Sequence, residues 1–511
     1  ALQMPWMRFR EPQSLTAAMT RLEAAIVGDT LRLGEAKAIW GRWRLLFFLV
    51  PPLKAAESTE WKLGQLSLER SLVVHRSREK LNGSAVLPYL GGDGVTPLKQ
   101  QYLEALEQLH PVTGDPSTTP SVWAQTKLFG SQLWPDTTAD STPTVETPFV
   151  TPAMGNRGCV SCSELLEFFR TGNPSWVWDL ALPQSDLLLY SAWYNTDRRP
   201  SRYNGFYVGD GTGEGDWHRP SVAPVGATTH NLGIKLAYVL RPSPMVLDRF
   251  VAAADAFRLR YDKPREKQNE RGPDQRIELA SLDGTPSGEI LFEHLEMLQN
   301  CAEFVPGALG DACLTTVDAV YDELVEENIV AHTACAGDPA PVANCSARSY
   351  AMLARIGARV IYRYVTALRP NTATSLALRQ MLVESARQLT DVLLPKLTTK
   401  NALDLDADWF AAMECTRNGD ALESCTTSSD PSDKVDPAWR PALLSLVFIA
   451  SQLDPTFDRC ELMLNTFADL NMYAGWLATL ATTPGWDAYS AGMLDAAIFS
   501  VGGLDRCQES Q

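Results

Sequence analysis

The chain is 511 residues long, more than one ordinary core organises, and its 45% hydrophobic and 21% charged residues are those of a folded protein, which excludes a disordered or low-complexity chain. With 45 basic against 61 acidic residues the net charge is −16, a sign that repels polyanions and excludes nucleic acid as an expected partner. The strongest apolar run, Leu45 to Val50, stops at Pro51, far short of the roughly 20 residues that span a bilayer, so no transmembrane segment is expected.

Residues 1–111 read as an N-terminal helical region. Met19, Leu22 and Ile26 follow Ser14 and Thr16 at helical spacing, and Thr96 with Pro97 starts a clearer helix whose Tyr102, Leu103, Leu106 and Leu109 make an apolar stripe that Pro111 ends. No charged and apolar leader opens the chain, and Ala1 is expected to be the mature N-terminus left after removal of a signal peptide. Residues 112–152 are crowded with Pro, Thr, Ser, Gly and Asp and carry no apolar period, which marks a linker or wrapping loop.

Residues 153–511 read as the main helical domain. Ser161 and Glu164 have the spacing of a capping box ahead of Leu165, Leu166 and Phe168. From Trp176 to His230 no long amphipathic pattern occurs, and irregular structure with short strands is expected. Helices return after Asn231, with Ser–Pro or Asp–Pro starts at Ser243, Asp436 and Asp454. One helix places Val246, Phe250, Phe257 and Tyr261 on one side. Another, over residues 347–368, aligns Leu353, Ile356, Val360 and Tyr364, and further helices are predicted at 375–394, 441–453 and 459–480.

The ten cysteines fall largely into close pairs: Cys159 with Cys162, Cys301 with Cys313, Cys335 with Cys345 and Cys415 with Cys425, which leaves Cys460 to pair with Cys507. An even count in turn-rich surroundings is the product of an oxidising compartment, so five disulfides and an extracellular, periplasmic or cell-surface location are expected. A single CxxC without paired histidines argues against zinc. A helix start would also suit a redox thiolate at Cys159 and Cys162, but no βαβ context surrounds them. Asn82 and Asn344 head Asn-x-Ser strings that are glycan acceptors in a eukaryote.

These readings give a mainly α fold, a multi-helix array or α/α-toroid-like domain with an irregular aromatic-rich segment and disulfide-pinned loops. In outline it resembles the helical catalytic domains of secreted polysaccharide lyases and glycoside hydrolases.

The densest polar cluster lies at 198–235, on glycine-rich sequence that leaves the backbone open to a ligand. Three chemistries fit it. Asp210, Glu214 and Asp216 supply the paired carboxylates of glycoside hydrolysis. His218 or His230 with Tyr203 supplies the base for proton abstraction from a uronic acid, with Asn204, Asn231 or Arg202 stabilising the developing charge. Asp210, Thr212 and Glu214 alternate ahead of Gly215 as calcium ligands do, although Ser221 replaces the bidentate Glu of an EF-hand. A polar Gly-rich turn is the bland alternative to all three. Trp176, Trp178, Tyr190, Trp193, Tyr194, Tyr203, Phe206, Tyr207 and Trp217 crowd the same region and offer faces for sugar rings as well as core packing.

Elsewhere, His294 among Glu289, Glu293 and Glu296 reads as a solvated helix face rather than a metal patch, because HExxH spacing is missing. Asp404, Asp406 and Asp408 alternate, but Trp409 stands where a calcium turn needs glycine. No nucleophile elbow, P-loop or dinucleotide fingerprint occurs. The expected function is an exported carbohydrate-active enzyme acting on a polysaccharide or glycan, with no cofactor required and calcium as the ion the sequence admits. The alternative is an exported helical protein with a binding or structural role.

Overall fold

The computed structural model describes residues 2–3, 14–18, 21–25, 44–45, 87–91, 100, 160–173, 176–182, 185, 231–262, 287–326, 335–336, 342–345, 353–393, 413–418, 421–427, 440–461 and 494–509. Helix dominates them. The first, α1 (Val160–Thr171), is followed by a π-helical turn at Trp176–Ala181, then by α2 (Asn231–Leu240), α3 (Pro244–Asp262), α4 (Ser287–Phe304) and α5 (Ala308–Glu326). Residues 353–368 make one helical rod in three pieces: a π turn Leu353–Gly357, α6 (Ala358–Arg363) and a π turn Tyr364–Leu368. After it come α7 (Ala373–Gln388) with a π turn Leu389–Leu393, α8 (Arg440–Leu453) and α9 (Leu494–Glu509).

Local chemistry fixes several of these ends. Pro244 opens α3 as expected, where its missing N–H costs nothing, and the N–H groups of Val246 and Leu247 bond the Ser243 carbonyl at 3.0 and 3.4 Å. Thr372 caps α7 in extended geometry, its hydroxyl accepting from Ser375 N–H at 3.1 Å. Between α4 and α5 the chain reverses through Gly307 at φ 76°, a left-handed position that suits glycine. Cys301 and Cys313 bridge this helical hairpin, with Cα atoms 6.0 Å apart.

The apolar stripe Leu353, Ile356, Val360 and Tyr364 is buried throughout, as its spacing requires. The rod packs against α4 on one side and α7 and α8 on the other; α4 also touches α2, α3 and α5, while α8 touches α9, which meets α1, which meets α2. Gly357 allows the closest approach, because a Cβ there would stand 2.7 Å from the Phe292 ring of α4. Residues 291–300 of α4 and 444–450 of α8 are buried all round, so these two helices are enclosed by the others. Leu87–Gly91 lies against α8 and α9, with Tyr89 N–H donating to Gln452 Oε1 at 3.1 Å.

Several expectations change. Where helix was expected near the N-terminus, β2 (Ser14–Ala18) pairs antiparallel with β3 (Arg21–Ala25), and β1 (Leu2–Gln3) with β4 (Arg44–Leu45). Short apolar runs do not separate the two periods, and Leu15 and Ala17 fit a strand as well as Leu22 and Ile26 fit a helix. The cysteine-bracketed loops are hairpins: β5 (Cys335–Ala336), β6 (Val342–Cys345), β7 (Met413–Asn418) and β8 (Ala421–Thr427) form one antiparallel sheet in that order. Its register sets Cys335 opposite Cys345 and Cys415 opposite Cys425. Directly opposed residues lie about 4.5–5.5 Å apart at Cα, within the range a disulfide spans. Asp454 and Pro455 do not start a helix: Asp454 Oδ1 closes a turn by accepting from the N–H and hydroxyl of Thr456 at 2.9 and 2.7 Å. Proline suits a turn and a first helical residue equally. Ser161 lies one residue inside α1 rather than capping it.

Cys460 and Cys507 are bonded, with Cα atoms 5.1 Å apart, and no described cysteine is free. Cys162 is disulfide-bonded, and its expected partner Cys159 lies outside the described residues. No helix among the described residues is long and apolar enough to cross a membrane.

Candidate functional site

Arg202, Tyr203, Asn204, Asp210, Thr212, Glu214, Asp216, Trp217, His218 and His230 lie outside the described residues, as do Asp404, Asp406 and Asp408. Asn231 is the first residue of α2. Of the aromatic series, Trp176 is described and buried in the core. The described end of the 198–235 segment is α2 up to Lys235, and there the chain enters a buried ionic cluster.

The cluster is organised by α4. Glu293, His294, Glu296, Gln299 and Asn300 alternate with Leu291, Phe292, Leu295, Met297 and Leu298, yet none of them faces water: His294 is 1% and Glu296 2% exposed. The solvated-face reading of His294 is therefore wrong. The polar side of α4 is covered by cations from elsewhere in the chain, Lys235 of α2, Arg249 of α3 and Arg359 and Arg363 of α6, all buried. No group of three or more His, Cys, Asp or Glu among the described residues is arranged to hold a metal ion.

The contacts form a ladder between two parallel helices. Arg359 Nη1 donates to Glu296 Oε1, and one turn on Arg363 Nη1 donates to Asn300 Oδ1 at 2.8 Å, each pair 63 residues apart in sequence. Arg363 also pairs with Glu303 and reaches the Gln299 carbonyl at 3.4 Å. Gln299 Nε2 donates to the Tyr321 hydroxyl at 2.9 Å and to the Val360 carbonyl at 3.1 Å, tying α4 to both α5 and α6. Tyr321 lies against Tyr364, ring centroids 4.3 Å apart, and Tyr364 donates to Asp318, which Arg369 grips from the rim.

Counted as charges, Arg359 is matched by Glu296, Arg363 by Glu303, and Arg249 by the nearby field of Glu293. Lys235 is the fourth cation, and the carboxylate that acts on it, Glu296, also pairs with Arg359. It is 2% exposed, and the charges that act on it are those of Arg363, Glu296 and Arg359. Burial drives its proton affinity well below that of an ordinary lysine, the Arg363 and Arg359 charges push the same way, and Glu296 opposes them. Burial also lowers Arg249 to about 9 and Arg363 to about 10, so both keep their proton at neutral pH. Three further buried atoms find no partner within the protein: Glu296 Oε2, Gln299 Oε1 and Arg363 Nε.

Such a site offers an amine whose proton affinity burial lowers, guanidinium groups suited to a carboxylate, and oxygen acceptors suited to hydroxyls. Sequence reasoning passed over Lys235, Arg359 and Arg363. The signal available was the i, i+4 repeat of Arg359 and Arg363 alongside the stripe of Ile356, Val360 and Tyr364, matched by the i, i+4 repeat of Glu296 and Asn300. Compared with protein-family models, curated proteins and solved structures, the chain matches none of them.

Proposed function

We propose that the protein is an exported carbohydrate-active enzyme, a polysaccharide lyase or glycoside hydrolase, whose site joins the polar, aromatic-rich 198–235 segment to the ionic cluster at its end. The observation that carries this reading is Lys235, a buried amine that shares the Glu296 carboxylate with Arg359, one helical turn beyond Asn231 and within the field of two arginines. A strongly shifted titratable group in a cluster of opposite and like charges is how acid–base sites are built. Of the two chemistries the lyase is favoured, since arginine suits a uronate carboxylate and an amine of lowered proton affinity suits proton abstraction beside it. Calcium at Asp210, Thr212 and Glu214 remains part of the proposal. So does a toroid-like closure of the helices, which the circuit of neighbours from α1 through α2, α4, the rod, α8 and α9 back to α1 supports. Export is supported by the disulfides.

The test is a screen of acidic and neutral polysaccharides, read by the ultraviolet absorbance of unsaturated uronate products and by new reducing ends. We expect turnover of an acidic polymer with the unsaturated product, and a loss of about 10² or more in rate for Lys235→Met. Reducing ends without unsaturation would assign hydrolysis. No turnover on any polymer would favour the non-enzymatic reading, which has its own support in the internal pairing of Arg359 and Arg363 with acidic or amide partners.

A further inference from the structure

We infer that Asn344 carries an N-linked oligosaccharide, set on the polar face of the four-stranded sheet. This rests on the exported reading above and goes beyond it, because the sugar is one attached to the protein rather than one it acts on. Asn344, Cys345 and Ser346 form an Asn-x-Ser acceptor whose middle residue is not proline. Such an acceptor needs a place in the fold that admits a bulky, hydrated group, and the strand register supplies one. Opposed residues of an antiparallel pair share a face, and so do residues two apart along a strand. Asn344 therefore stands in a row with Ala336, Glu414 and Thr426, and the next row on that face is Val342, Thr416 and Ser424. The opposite face takes Cys335, Cys345, Cys415 and Cys425, with Ala343, Met413 and Thr427. An antiparallel sheet with one polar and one apolar face turns the polar one to water.

The transfer forms a bond from Asn344 Nδ2 to C1 of the first sugar and breaks the bond from C1 to the phosphate oxygen of a polyprenyl pyrophosphate carrier. The pyrophosphate leaves with the bonding electrons, and the amide nitrogen gives up one proton. In the finished sheet β6 lies between β5 and β7, so its backbone is paired on both sides and the acceptor has to be modified before the sheet closes. Chain order leaves time for this. Met413, the first residue of β7, lies 68 residues beyond Cys345 and, at about 5–20 residues per second of synthesis, emerges seconds later. Until then β6 has only the two-residue β5 beside it, and a lone two-stranded hairpin is marginal in water. The competing event is closure of a Cys335–Cys345 bridge, which takes seconds to hours. Asn82, which heads the other Asn-x-Ser string, lies outside the described residues.

The experiment is peptide mapping of the full chain purified from its native cells and their medium, before and after a peptide:N-glycosidase acts in heavy-oxygen water. That enzyme converts a glycosylated asparagine to a labelled aspartate. We expect the label at Asn344 only after the enzyme has acted, with a matching loss of mass from the intact chain. Ser346→Ala should abolish the label, and Ser346→Thr should retain it, since either hydroxyl completes the acceptor. The wild-type map decides the question even if a variant fails to fold. Finding the Asn344 peptide only in its unmodified form overturns the proposal, as does a label that persists in Ser346→Ala. Bridged cysteines in the same map beside an unmodified Asn344 would remove this site and leave the exported reading standing. Free thiols at Cys301, Cys313, Cys460 and Cys507 together with an unmodified Asn344 would remove both.

Discussion

Lys235 costs the folded protein stability, and the sign of that cost depends on pH. Its folded proton affinity lies well below the ordinary lysine value of 10.5, so between the two values the unfolded chain holds a proton that the folded chain lacks. Stability therefore rises with pH across that window. Lys235→Met removes the effect, and the variant should be more stable than wild type at neutral pH, by an amount that shrinks as pH approaches about 10. Chemical denaturation at a series of pH values in that range checks it. Tyr321 and Tyr364, whose hydroxyls burial pushes up, stay protonated throughout. A variant destabilised equally at every pH would mean that the amine is charged and paired in the core. His294 marks the limit of what single residues disclose. Its neighbours Glu293 and Glu296 make α4 look half solvated, and it is cations distant in sequence, such as Arg359, 63 residues from Glu296, that show the helix belongs inside. A local pattern carries no record of a partner that distant.

Helix ends and apolar stripes were far more legible. Ser243 with Pro244 located the start of α3, and Leu353, Ile356, Val360 and Tyr364 located the buried face of the rod, because caps and i, i+3 or i+4 spacing are local physics. The cysteine loops showed as turn-rich, but their pairing into a sheet depends on β6 meeting β7 across 67 or more residues. Close packing between helices was equally hidden. Gly502 and Gly503 in α9 look like helix weakeners, yet a Cβ on Gly502 would meet the Tyr89 carbonyl and one on Gly503 the Phe448 ring of α8. Two effects compete in Gly503→Ala: helix propensity favours alanine by up to about 1 kcal/mol, and overpacking costs about 1–3 kcal/mol. The contact with Phe448 is severe enough for the second to win. Thermal unfolding should show a net loss that Phe448→Leu partly restores; a gain in stability would mean that α8 and α9 lie further apart.

The described disulfides staple the chain at two ranges, 12 residues between Cys301 and Cys313 and 47 between Cys460 and Cys507. Chain entropy predicts about 3 kcal/mol for the shorter loop and about 4 kcal/mol for the longer. Peptide mapping without reduction should recover both bridges, and Cys460→Ala with Cys507→Ala should lower stability at least as much as the Cys301 and Cys313 double variant. Free thiols at these positions in the native protein would remove the argument for export. The parallel ladder between α4 and the rod bears on the same question of how a long helical chain selects one arrangement. Apolar helix faces tolerate a slide of one turn, about 5.4 Å, with little change in buried area. A slide one way brings Arg363 level with Phe304, and a slide the other way brings Arg359 level with Phe292. Each slipped state leaves a guanidinium against a phenyl ring and carries the several kcal/mol of an unmatched buried charge. The ion pairs thus act less as glue than as a key, excluding neighbouring registers that packing alone would admit.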